Sequence, residues 1–217
     1  MTTDEAAAMR VRSDGLVPKM RYTSQEFFDL EMDRLWPRVW QVACREEEVP
    51  RTGDFFEYTI GDQSILVLRR APEVISAYFN TCLHRGTRLA EGVGSLGDGP
   101  IRCRYHGWCY ELDGLVAAIP DRHEFPSLPD DLSLREVRAE RWGGFVFVNM
   151  DPAAEPLVDF LDPIPALLGP YRLEEMRFRS YRTTILPANW KVVVDAFNES
   201  YHVQGTHPEI LPWTDDV

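Results

Sequence analysis

Cys82-Leu83-His84-Arg85-Gly86 and Cys103-Arg104-Tyr105-His106-Gly107-Trp108-Cys109-Tyr110 decide how this chain is read. The pairs Cys82/His84 and Cys103/His106 within them, together with a third stretch, Glu199-Ser200-Tyr201-His202-Val203-Gln204-Gly205-Thr206-His207, take up four of the five histidines and two of the four cysteines. Only His123, Cys44 and Cys109 stand outside. Both residue types are reactive and both bind metals, so their concentration in three short stretches predicts two separate metal sites. The glycines that follow the first two histidines, Gly86 and Gly107, let the backbone turn tightly and bring N–H groups close to a bound group.

Each of the first two stretches pairs one soft thiolate with one imidazole. A [2Fe–2S] cluster that carries two cysteines on one iron and two histidines on the other needs that donor set. The 18 residues between His84 and Cys103 are enough for two strands and a turn that return the loops side by side. Tetrahedral zinc is the alternative, since it also accepts two cysteines and two histidines. Zinc ligands, however, usually come as pairs of like residues, whereas here unlike residues are paired within each loop. Colour separates the two, because an iron–sulfur cluster absorbs visible light and zinc does not.

In the run from Asn189 to His207, Val193, Phe197 and Tyr201 recur at helical spacing, which predicts a helix with one apolar face. Asn189 is placed to cap its start. Asp195, Glu199 and His202 would share a polar face. Gly205 would end the helix and let His207 turn back toward His202. Two imidazoles and a carboxylate make the facial triad of a non-haem Fe(II) site with positions open for oxygen. The bland alternatives are a solvated Glu199 and a hydrogen-bonded core histidine at position 202.

The two cluster boxes resemble those of the Rieske non-haem iron oxygenases, the alpha (large) subunits of aromatic ring-hydroxylating dioxygenases and related monooxygenases. The run N-W-K-x3-(D/E)-x-F-x-E-x-Y-H-x4-H-P resembles that family's mononuclear-iron motif. Respiratory Rieske proteins differ by a disulfide and a serine, where this chain has Thr87, Tyr105 and Trp108. A lower reduction potential is therefore expected. The resemblance spans Ser24 to Pro208. It implies an α+β fold in which an antiparallel β Rieske domain (38–154) is inserted into the start of a helix-grip-like catalytic domain. Residues 1–37 and 155–217 would belong to that second domain. It implies Cys82, His84, Cys103 and His106 as cluster ligands and His202 and His207 as ligands of mononuclear Fe(II). Glu199, where Asp is usual, would link that iron to His106 or His84 of a neighbouring subunit's cluster. The third iron ligand would come from beyond Val217, so an N-terminal portion of a longer subunit is expected. Glu209, Asp215 and Asp216 do not match the later motif. Implied partners are a ferredoxin or flavin reductase, O2, an organic, aromatic substrate class, two further copies in a head-to-tail trimer, and in some relatives a small beta subunit. The competing reading is an electron carrier that works through the cluster alone.

The net charge of −12 argues against nucleic acid and anionic membranes as partners. Arg85, Arg102 and Arg104 are candidates for a local basic patch that receives an acidic ferredoxin. The polar start shows no secretory signal, and no apolar run is long enough to span a membrane. Cys44 and Cys109 read as free thiols, which suits a reducing cytoplasm.

Residues 1–20 are expected to be flexible, followed by a helix from Thr23 or Ser24 to about Trp36 with Phe27, Phe28, Leu30, Met32 and Leu35 on its buried side. Strands are expected at Phe55–Ile60, Ser64–Arg69, Val74–Asn80, Ile101–Arg104, Trp108–Leu112, Leu115–Ala118 and Gly144–Met150. Glu91–Gly99, with four glycines, reads as a mobile connection. Residues 119–135 read as a surface excursion, Ile164–Leu168 as a short helix and Arg177–Leu186 as a strand.

Overall fold

The protein was analysed as a computed structural model that describes residues 15–213. Residues 1–14 and the carboxylates of Asp215 and Asp216 lie outside the described residues. Two compact units divide the chain: Arg34–Ser180, and the residues up to Asp33 together with those from Tyr181 onward.

The Arg34–Ser180 unit is an antiparallel β structure. Its strands are β1 (Gln41–Arg45), β2 (Asp54–Ile60), β3 (Gln63–Ala71), β4 (Val74–Phe79), β5 (Val93–Ser95), β6 (Ile101–Arg102), β7 (Cys109–Tyr110), β8 (Val116–Ala118), β9 (Glu136–Trp142) and β10 (Phe145–Asn149). One sheet has the order β1-β10-β9-β4-β3-β2-β5, and a small sheet has the order β6-β7-β8. β3 lies near the middle, and its run Ile65-Leu66-Val67-Leu68 is fully buried because both faces of the large sheet are covered. Side chains alternate across a strand. Leu66 and Leu68 therefore join one core with Phe55, Tyr78, Ile101, Trp108 and Tyr110. Ile65 and Val67 join a second core with Ala77, Val137, Val146 and Val148. Each such side chain contributes about 1.5–3 kcal/mol of hydrophobic stabilisation. The first core also takes in Cys82 and Cys103, so the cluster boxes are rooted in the best-packed part of the unit.

Of the eight strands expected, the seven up to Met150 are present, within shorter or longer limits. Three others were not anticipated. β5 falls inside the glycine-rich 91–99 connection, where it pairs with β2. β1 is an edge strand with a register shift. β9 is rich in charge, which disguises it, yet it lies between β4 and β10. Its charges find partners, as in Arg138–Glu140 and Arg141–Glu46. Two short helices, α3 (Leu157–Phe160) and α4 (Ile164–Leu168), follow β10. The strand expected at Arg177–Leu186 does not form, and Tyr181, Ile185 and Leu186 are exposed.

The other unit contains α1 (Met20–Thr23), most of α2 (Gln25–Arg34), α5 (Trp190–Phe197) and α6 (Val203–Thr206). The expected buried side of α2 is corrected: Phe28 and Leu35 are exposed, and the buried residue of this helix is Glu31. The iron helix is also corrected. It begins where expected, with the Asn189 side chain accepting from Lys191 N–H at 3.1 Å. It ends at Phe197, however, and Gly205 lies inside α6 rather than stopping the first helix. Phe197 and Tyr201 are exposed, so their spacing does not mark a face buried within this unit. These α and β segments together give the α+β class.

Candidate metal centres

The two boxes fold into the same backbone loop. In the first, Cys82 N–H donates to Thr87 C=O at 2.8 Å and Gly86 N–H to Cys82 C=O at 2.9 Å. In the second, Cys103 N–H donates to Trp108 C=O at 2.8 Å and Gly107 N–H to Cys103 C=O at 3.1 Å. Both glycines sit in the left-handed region, at φ 72° and 73°, which strains other residues. The cysteine-to-glycine spacing is thus the same in both loops, while the histidine is displaced by one position. One loop geometry can then present its ring from two directions.

The four donors come together as two pairs. Cys82 and Cys103 are both buried in the same core cluster. His84 Nδ1 and His106 Nδ1 face each other at 3.1 Å, with ring centroids 4.6 Å apart. Among the described residues no three His, Cys, Asp or Glu side chains are gathered as a site for a single metal ion. Paired thiols beside paired imidazoles fit a two-iron group with unlike ends better than one tetrahedral ion. Burial pushes the Cys82 thiol up, partly offset by its hydrogen bond with Tyr110. Desolvation, then His106 and Arg85, hold His84 below the usual imidazole range. Ligation needs a thiolate and neutral imidazoles, so a bound cation reverses the first shift and suits the second.

Three surrounding residues were not singled out by the sequence. Tyr110, fully buried, has its hydroxyl 3.1 Å from Cys82 Sγ and accepts from Leu83 N–H at 3.0 Å. A thiolate can only accept, so Tyr110 is then the donor. Trp108 stacks on His84, with centroids 5.3 Å apart and an interplanar angle of 4°. Phe125 meets His84 and Trp108 edge-on at 6.1 and 6.0 Å. The 119–135 excursion therefore returns to the site. Tyr110 and Trp108 stand inside the second box and could have been flagged as its aromatic members, whereas no local signal marks Phe125. Cys44 is buried in the second core, which pushes its thiol up to about 12. The Cys109 thiol donates to Gly107 C=O at 3.3 Å.

At the second site the structure brings Glu199, His202 and His207 together. Glu199 Oε1 bonds His202 Nδ1, and Glu199 Oε2 accepts from His202 N–H at 3.2 Å. These bonds hold the Glu199 carboxyl below the usual carboxylate range. The His202 and His207 rings are 5.5 Å apart at 78°. His207 Nδ1 lies 3.6 Å from Glu209 Oε1. His202 thus has a carboxylate bonded at Nδ1, which leaves its Nε2 for a metal, the arrangement that orients metal-binding imidazoles; Glu209 stands near His207 Nδ1 but beyond hydrogen-bonding distance. Asp195 does not share their face, because the helix stops before Glu199 and Asp195 accepts from Tyr22 OH at 2.7 Å.

An antiparallel domain with thiol and imidazole pairs on twin loops, followed by a histidine pair, defines a Rieske-type oxygenase class. The family descriptions agree: "Rieske [2Fe-2S] domain" matches residues 39–129 and "Ring hydroxylating alpha subunit (catalytic domain)" matches residues 172–216. The chain belongs to the Rieske non-haem iron oxygenases and aligns with the N-terminal part of their alpha subunits, which carry a [2Fe–2S] cluster and a mononuclear iron. It is 32% identical over 198 residues to a glycine betaine monooxygenase oxygenase subunit of Pseudomonas aeruginosa, covering 90% of this chain and 45% of the relative. It is 33% identical over 195 residues to the carnitine monooxygenase oxygenase subunit of Escherichia coli, covering 88% of this chain and 52% of the relative. A crystal structure of a quaternary ammonium Rieske monooxygenase with L-carnitine superposes with TM-score 0.84 at 29% identity, covering 90% of this chain and 56% of that one. The chain thus spans about half the length of these relatives.

Proposed function

We propose that this chain is the electron-accepting and iron-holding part of an oxygenase. On this proposal Cys82 and Cys103 bind one iron of the cluster, His84 and His106 bind the other, and His202 and His207 bind the mononuclear iron. The paired donors on twin loops carry the proposal. When bound, the cluster supplies one-electron transfer and the mononuclear iron supplies oxygen activation toward an organic substrate.

The protein's own residues set the conditions for both. Tyr110 supports the Cys82 thiolate, and Trp108 fixes the plane of His84. Glu199 holds His202 by Nδ1 and keeps its Nε2 directed outward. Of the two cluster histidines, His106 is the exposed one. We therefore take it as the ring that meets Glu199 of a neighbouring copy in a head-to-tail trimer, a ring of heterologous contacts. Arg85, Arg102 and Arg104 are exposed on the cluster loops of a chain whose net charge is −12, which supports docking of an acidic ferredoxin or reductase domain there. Among the described residues no helix is long and apolar enough to cross a membrane. A reducing cytoplasm suits the free thiols. The domain division proposed is a Rieske domain over 38–154 with flanking segments 1–37 and 155–217 of the catalytic domain.

The likeness to the glycine betaine and carnitine monooxygenase subunits shifts the expected substrate. An aromatic ring gives way to a small quaternary ammonium compound, hydroxylated with one oxygen atom of O2. The match of residues 172–216 to an oxygenase catalytic domain favours this over an electron carrier. The test is O2 uptake with a compatible reductase, glycine betaine or carnitine, and a benzoate-type acid for comparison. Coupled uptake with a quaternary amine supports the proposal. Coupled uptake with the aromatic acid alone overturns the substrate class. Dithionite-reduced protein without a rhombic iron–sulfur EPR signal overturns the cluster assignment.

A further inference from the structure

Glu31 is an anomaly: it is the buried residue of a helix whose apolar side chains Phe27, Leu30 and Met32 are only half-buried. It is 8% exposed and sits in α2, far in sequence from either metal centre. Its carboxylate accepts from Lys191 Nζ on both oxygens at 2.8 Å and from Trp190 Nε1 at 3.2 Å. The Lys191 side chain is also largely buried. Its ammonium lies 5.1, 5.3 and 5.8 Å from the ring centroids of Trp190, Phe27 and Tyr22. Lys191 is thus surrounded by one carboxylate and three aromatic faces, a setting suited to a desolvated cation.

A second tie lies at the other end of the same helix. Tyr22 OH donates to Asp195 Oδ2 at 2.7 Å. α5 therefore has Glu31 at its first turn and Tyr22 at its last. Its own resources are slight. It has eight residues, which is too short to persist alone, and Val192, Val194 and Phe197 are exposed. Glu199 follows its C-cap, Asn198, and His202 comes three residues after that. The orientation of α5 therefore sets where the chain enters the second metal centre.

We propose that Glu31, with Tyr22 as its counterpart, is a positioning residue for the mononuclear-iron site: the α1–α2 segment clamps α5 at both ends through Lys191/Trp190 and Asp195 and so fixes the start of the Glu199–His207 segment. This accounts for Trp190, Lys191 and Asp195, three motif residues that no ligand role absorbs. It rests on the proposed ligand role of His202 and His207. The cluster loops belong to the other compact unit and serve as the internal control.

The experiment titrates Co(II) anaerobically into the intact protein from which only the mononuclear iron has been removed and the cluster retained, reads the ligand-field bands of the histidine site, and measures cluster content by EPR on the same samples. The variants are Glu31→Gln, Glu31→Asp, Tyr22→Phe and His202→Ala. Expected are a loss of Co(II) affinity of at least about tenfold in Glu31→Gln, the size seen when supports behind ligands are removed, altered bands, partial recovery in Glu31→Asp, a smaller loss in Tyr22→Phe and full cluster content throughout. Unchanged affinity and bands in folded Glu31→Gln overturn the proposal. So does a loss of cluster in step with Co(II) affinity, which marks general unfolding. If Glu31→Gln does not fold, Tyr22→Phe decides: wild-type affinity and bands there overturn it. Co(II) bands that persist unchanged in His202→Ala instead refute the ligand assignment, a separate failure.

Discussion

Replacing Tyr110 by Phe removes one oxygen atom from beside the cluster and nothing else. That oxygen is 3.1 Å from Cys82 Sγ and also accepts from Leu83 N–H at 3.0 Å. Tyr110 is completely buried, so bulk water does not replace the lost group. Reduction adds negative charge to the thiolate environment and strengthens a bond donated to it. A hydrogen bond to a charged group contributes about 1.5–3 kcal/mol in total. If reduction strengthens this one by about 1 kcal/mol, roughly half of the total, the one-electron conversion of about 59 mV per tenfold gives a fall in potential of about 40 mV. The orphaned Leu83 N–H adds about 1–3 kcal/mol of lost stability. The assay is EPR-monitored redox titration of both proteins, with cluster content equalised. An unchanged or higher potential with the cluster intact would refute the donor role assigned to Tyr110.

Other perturbations test different parts of the structure. Glu199→Gln removes the charge and can keep only one of the two bonds that the carboxylate accepts from His202; both metal contents should persist while single-turnover electron delivery to the mononuclear iron slows at least about tenfold, and wild-type rates would reject the bridging role. Asn80 accepts from Leu89 and Ala90 N–H at 3.0 and 3.1 Å and donates to Ala90 C=O at 2.7 Å, closing the first cluster loop. Asn80→Ala should cost about 2–4 kcal/mol in denaturant unfolding and lower cluster retention, whereas a wild-type midpoint would contradict the closure. Burial raises the Glu57 pKa, but Gly92 N–H, the Ser64 hydroxyl and Arg88 outweigh it and leave the carboxyl below its usual range. Glu57 therefore stabilises the fold above its unfolded pKa near 4.3 and loses this as pH falls through the lower folded value. The stability gap between wild type and Glu57→Gln should be widest at neutral pH and close in acid; a gap independent of pH would show that the charge is irrelevant.

How much was legible in advance follows from the range of each interaction. Cys82, His84, Cys103 and His106 lie in loops closed by hydrogen bonds across five residues or fewer, and such loops are written in local spacing. The central strands were equally plain, because a sheet buried on both faces demands the apolar run at positions 65–68. The helix stop at Asn198 was not, since periodicity carried the apolar pattern on to Tyr201 while the backbone turned away. Nor was β9, whose charged residues give no strand pattern and find their partners only in Glu46 and the neighbouring strands.

From the order of residues alone came the unlike ligand pairs, the two metal chemistries they imply and the antiparallel β framework. Each depends on contacts between near neighbours or on simple alternation. Only the tertiary structure decided that Tyr110 faces Cys82, that Phe125 returns to His84, and that Glu31 receives Lys191 from 160 positions away. A buried polar group must find a partner wherever the fold supplies one, and which residue that is depends on register and packing that no local pattern records.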